Sequence, residues 1–93
     1  MDMVSKHLIE HRIGRLAKWL KMKDNFIMSV QASESHHCNP ARDAGPWESF
    51  EVMFPGNHDM LAQPYREYED SDIYAFVPLK VIETIIEAHG GLV

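Results

Sequence analysis

The sequence predicts an α+β domain: a three-stranded antiparallel sheet with a C-terminal helix packed on it and an amphipathic helix in front. Three observations lead there. Ile73 to Val77 is an unbroken apolar, β-branched and aromatic run, and Pro78 follows it. Val81, Ile82, Ile85 and Ile86 then recur at helical spacing and stop before Gly90-Gly91. Two earlier runs, Phe26 to Ser33 and Trp47 to Phe54, alternate apolar and polar residues with period two, as half-buried strands do.

In chain order, Val4 to Lys23 reads as the first helix. Leu8, Ile9, Ile13, Leu16, Trp19 and Leu20 form its stripe, and Ser5 is its expected N-cap. Gly14 weakens such a helix by about 1 kcal/mol relative to alanine. Its polar face carries Lys6, Arg12, Arg15, Lys18, Lys21 and Lys23. Phe26 to Ser33 is the first strand, with Met28, Val30 and Ala32 on one face and Ser29 and Gln31 on the other. Asn39-Pro40 and Ala44-Gly45-Pro46 mark the following loop. Trp47 to Phe54 is the second strand, with Phe50, Val52 and Phe54 opposite Glu51. Met60 to Ser71 fits neither period, because Pro64 interrupts it and acidic residues crowd it. The last strand and helix close the chain. Pro78 suits a helix's first turn, Gly90 the left-handed C′ position, and His89 the negative end of the helix dipole. Residues 28–93 read as a small α+β domain, and residues 1–27 as a basic amphipathic helical arm added to it.

The chain has 93 residues, 45% of them hydrophobic, enough for one domain with a core. Its charge is split. Residues 1–24 hold six basic and three acidic side chains, a net of +3; residues 25–93 hold three and eleven, a net of −8. The total of −5 disfavours nonspecific nucleic-acid binding by the whole chain. A single cysteine, Cys38, precludes an internal disulfide and points to a reducing, cytoplasmic setting. No run of 18 apolar residues is present, so no membrane-spanning helix is expected.

Four stretches resemble a family of small, uncharacterised bacteriophage and prophage proteins: Ser29-Val30-Gln31-Ala32-Ser33, His37-Cys38-Asn39-Pro40-Ala41-Arg42, Val52-Met53-Phe54-Pro55, and Tyr74-Ala75-Phe76-Val77-Pro78 through His89-Gly90-Gly91. The resemblance spans residues 29–91. It implies a phage or prophage origin, with the host-cell cytoplasm as the setting, and carries no catalytic residues.

Chemistry must come from the side chains themselves. The acidic segment Glu67, Glu69, Asp70 and Asp72 is interleaved with Tyr65 and Tyr68 and followed by Tyr74. Carboxylates among aromatics suit a surface presented to a basic protein partner, with tyrosines as anchors; the plainer reading is a solvated face. With Trp19 as a second anchor, this predicts a non-enzymatic interaction protein contacting a host or phage protein, or a second copy of itself as a homodimer. No cofactor is expected under this reading.

Two alternatives come from other classes. His36, His37 and Cys38, with His58 and Asp59 further on, are zinc-ligand types, although one cysteine and no C-x-x-C fall short of a zinc signature. The same Cys38 with His37 or His58 has the residue types of a nucleophile–base pair but no flanking motif. The third reading is a DNA-binding regulator that contacts phosphates through Arg12, Arg15 and Lys18. It is disfavoured by the acidic body and by the lack of a second helix for a helix-turn-helix. Gly90-Gly91 ends a helix instead of opening one, so no phosphate loop is present.

Overall fold

The computed structural model describes residues 1–93. The fold is α+β with a helix at each end: α1 (Met3–Glu10), β1 (Arg12–Ile13), β2 (Leu16–Ala17), β3 (Leu20–Lys21), β4 (Ile27–Gln31), β5 (Ser49–Met53), a 3₁₀ helix (Met60–Tyr65), β6 (Tyr74–Pro78) and α2 (Leu79–Ala88). The main sheet has four antiparallel strands in the order β3-β4-β5-β6, and β1-β2 form a separate two-stranded hairpin. The expected three strands are therefore present, and the chain adds one more to their edge.

The extra strand comes from the segment expected to be helical. The helix over 4–23 stops at His11, and residues 12–21 become a hairpin and an edge strand. Gly14 is the reason. Its φ of +64° is left-handed, and it is the first residue of the two-residue turn between paired Ile13 and Leu16. Glycine at that position is what a type II′ hairpin turn needs. The short α1 is capped by Asp2, whose carboxylate accepts the Ser5 N–H at 2.7 Å. The expected cap, Ser5, is instead fully buried, and its Oγ accepts the Trp47 N–H at 3.2 Å. Val4, Leu8, Ala17, Leu20 and Met22 enter the same buried cluster as the strands and α2. Where the sequence predicts an added arm, residues 1–27 share one core with residues 28–93.

The other elements fall where periodicity puts them. Met28, Val30 and Ala32 of the first predicted strand, and Phe50, Val52 and Phe54 of the second, all face the core. β5 and β6 pair with a register shift between Phe50 and Val52, and opposite it Phe76 takes φ +53°. That bulge re-aims β6, so Tyr74 and Val77 are both buried while Phe76 is exposed. Ile82, Ile85 and Ile86 of α2 are buried, and each contributes about 1.5–3 kcal/mol of hydrophobic stabilisation. Gly90 at φ +88° ends the helix; Gly91 N–H reaches Ile86 O at 2.9 Å and Gly90 N–H reaches Glu87 O at 3.1 Å. Those two bonds are the Schellman motif. The last residues then run beside β3, with Lys23 N–H to Gly91 O at 2.9 Å and Val93 N–H to Lys21 O at 3.0 Å. No helix is long and apolar enough to cross a membrane.

Candidate functional site

The acidic segment forms a closed loop between the 3₁₀ helix and β6. Arg66 pairs with Tyr74 as an isolated bridge, and Glu67 N–H donates to Ile73 O at 2.9 Å. Inside the loop Ser71 N–H donates to Tyr68 O at 3.0 Å, and Ile73 N–H donates to Ser71 Oγ at 3.0 Å. Asp70 adopts φ +67°, which aspartate tolerates better than most residues. Arg66 Nη2 donates to the hydroxyl of the fully buried Tyr74 at 3.0 Å, with its guanidinium 5.5 Å from that ring's centre. The backbone is thus held at both ends and across its middle, and Glu67, Tyr68, Glu69, Asp70 and Asp72 point outward.

These carboxylates are almost unneutralised. Glu67 Oε2 lies 3.8 Å from His37 Nδ1, whereas Glu69, Asp70 and Asp72 enter no ion pair. The tyrosines divide: Tyr68 is 65% exposed at the loop, Tyr65 packs against the core, and Tyr74 is part of the core. Only Tyr68 is available as a surface anchor.

Trp19 stands elsewhere, on the segment between β2 and β3, and is 52% exposed. With Leu16 and Met53 it walls a groove of about 220 Å³ over the sheet face opposite the core. Ser29, Glu51 and His36 line the same groove. His37 links the groove to the acidic loop. Its N–H donates to Glu51 Oε2 at 2.8 Å, its ring lies beside Glu67, and its carbonyl accepts the Phe76 N–H at 3.1 Å.

Of the residues proposed to contact nucleic acid, Lys18 is exposed, but Arg12 and Arg15 are engaged within the chain. Arg12 donates to Ala32 O at 2.6 Å and to Asp43 O at 2.8 Å, and its guanidinium is 5.5 Å from the Trp47 ring centre. Arg15 bridges Glu34 at 3.0 Å and Asp43 at 3.2 Å. None of the three is on a helix, because the segment expected to be helical over 4–23 leaves the helix after Glu10.

The His and Cys residues are also committed locally. His36 Nδ1 and Ser33 Oγ are 2.7 Å apart, and burial, working against Glu51, pushes the imidazole pKa down. Cys38 is 2% exposed and donates from Sγ to Ser33 O at 3.2 Å; burial, first among its causes, raises its pKa. His58 hydrogen-bonds the Tyr74 hydroxyl. No three His, Cys, Asp or Glu side chains are arranged to hold a metal ion.

Two clusters escape a reading of the sequence. The Gln31 side chain bonds both the N–H and the carbonyl of Ala17, at 2.7 and 2.9 Å, and so fastens the hairpin to the sheet. His89 is held by Asp24 and Asp59, whose positions in the chain are 65 and 30 residues away. No local signal links residues so far apart.

Comparison with protein-family models, with curated proteins and with solved structures finds no significant match.

Proposed function

We propose that this chain is a non-enzymatic interaction protein of phage or prophage origin that offers the 67–72 loop to a basic surface on a host protein. One observation carries the reading: a backbone-braced loop exposes Glu67, Glu69, Asp70 and Asp72 with a single long ion contact among them. Bracing matters because a loop ordered before binding loses less conformational freedom on docking. Uncompensated like charge steers a partner of opposite sign and makes association sensitive to salt. Tyr68 adds an amphipathic ring at the centre of the charge, one of the residue types enriched at interface hot spots. The 29–91 resemblance supports the origin, and the small acidic chain suits competition for a nucleic-acid-binding protein.

The test is capture from host lysate by the wild-type chain and by a variant with Glu67, Glu69 and Asp70 all changed to serine. A partner retained by the wild type at low salt should be released as salt rises. The triple variant should retain less of it and show a flatter salt response. Equal retention and equal salt dependence would refute the loop as the contact.

A further inference from the structure

We infer that the groove between Trp19 and Glu51 receives an arginine side chain from the basic segment of the partner. This rests on the reading of the acidic loop as a docking surface and supplies its specificity.

Charge sets the class of occupant. Glu51 is the one formally charged residue lining the groove, because burial holds His36 toward its neutral form. The Glu51 carboxylate has one oxygen fixed by the His37 N–H at 2.8 Å and enters no ion pair. Fixing one oxygen orients the carboxylate and leaves the other to accept from a ligand. The neighbouring cations do not satisfy it: Arg12 and Arg15 are bonded to the 32–43 loop. A groove with an oriented, unpaired carboxylate and an exposed indole wall selects a cation with a flat face. A guanidinium fits both features, stacking on the indole while donating to the carboxylate, whereas an ammonium offers only a point charge. Leu16 and Met53 cover the apolar stem of such a side chain. The groove joins the acidic loop through His37, which touches Glu51 with its backbone and lies 3.8 Å from Glu67 with its ring. One basic segment can therefore place an arginine in the groove and further cations along the loop. Lys18 lies on the other side of Trp19, in a separate groove with His7 and His11.

The experiment is binding of a labelled peptide of alternating arginine and glycine, followed by fluorescence anisotropy. Lysine and citrulline versions of the peptide, and Trp19→Leu, Trp19→Phe, Glu51→Gln and the triple loop variant of the protein, complete the set. Glu51→Gln keeps an acceptor for the His37 N–H, and Trp19 is half exposed, so both variants retain the fold. Circular dichroism melts of each variant check that. The arginine peptide should bind best, lysine next and citrulline least. Trp19→Leu and Glu51→Gln should each weaken arginine binding about tenfold, and Trp19→Phe less. The loop variant should chiefly flatten the salt dependence. Arginine and citrulline peptides of equal affinity would overturn the groove assignment. So would full binding by Trp19→Leu and Glu51→Gln beside a loop variant that fails, which leaves the loop reading standing. No binding of any basic peptide by the wild type would overturn both.

Discussion

His89 lies flat on Phe26, with ring centroids 3.9 Å apart and planes 11° from parallel. The stack holds the imidazole between two carboxylates: Nδ1 is 2.6 Å from Asp24 Oδ2 and Nε2 is 3.0 Å from Asp59 Oδ2. Both nitrogens can donate only in the imidazolium form. Burial alone would lower the His89 pKa, but the bonds to Asp24 and Asp59 and their charges outweigh it and raise the value. The contact ties the end of α2 to the β3–β4 turn and to the start of the 3₁₀ helix.

A pH dependence follows. A raised histidine pKa contributes stability in full below the unfolded value, about 6.5, and loses it as pH climbs through the folded value. Asp24 acts in the opposite sense. Its pKa is lowered, first by the Phe26 N–H and then by His89, so its share is complete above the usual carboxylate value and fades in acid. The clamp is thus strongest between about pH 4 and pH 6.5. Melting temperature of the wild type should fall above that window more steeply than that of His89→Gln. Parallel curves for the two proteins would show that the clamp does not set the slope.

Gln31 should be costly to replace. Its amide satisfies both backbone groups of Ala17 and also donates to Ser29 Oγ at 3.1 Å, all in a buried setting. Gln31→Leu leaves a buried N–H and a buried carbonyl unpaired. We expect a loss of about 1–3 kcal/mol in urea unfolding. Hydrogen exchange should accelerate first at residues 12–17, because the hairpin loses its fastening. Unchanged exchange there would mean that the hairpin is held by something else.

Gly45 is needed for space. A Cβ at this position would lie 2.8 Å from Trp47 Cζ3 and 2.9 Å from Cε3. The ring has little room to retreat. Trp47 is 2% exposed, its Nε1 donates to Arg42 O at 2.9 Å, and its backbone N–H donates to Ser5 Oγ. Gly45→Ala should destabilise by about 1–3 kcal/mol through overpacking. A denaturation midpoint equal to that of the wild type would mean that Trp47 shifts freely.

What could be read in the sequence was local. The faces of β4 and β5, the β6–α2 junction and the glycine stop after His89 each follow from neighbours within a few positions. The N-terminal segment carries a misleading helical pattern, since Leu8, Ile9, Ile13, Leu16 and Leu20 do recur at helical spacing. The fold buries only Leu8 and Leu20 of these, and leaves Ile9, Ile13 and Leu16 exposed. Pairing of β3 with β4 and the Gln31 clamp override the helical pattern, and Gly14 was the one local hint of a hairpin. The acidic loop was legible as composition, but its bracing by Arg66, Ser71 and Tyr74 was not, nor was the groove at Glu51. Both depend on contacts made only in the folded chain.

The His36, His37, Cys38 and His58 set gives the last prediction. A zinc site that uses Cys38 needs its thiolate and imidazole nitrogens converging on one point. Cys38 is buried, donates its S–H proton to Ser33 O, and has its pKa raised, so its thiol is held protonated. His36 is bonded to Ser33, and His58 to Tyr74 on a different loop. Binding zinc through Cys38 would require stripping its proton from the bond to Ser33 O and bringing His36 and His58 together from their separate loops. Protein purified without a histidine tag should therefore carry well under one zinc per chain, and chelator should leave its melting temperature unchanged. Stoichiometric zinc, with a melting temperature that drops in chelator, would show that the loops rearrange and would bring the metal reading ahead of the acidic one.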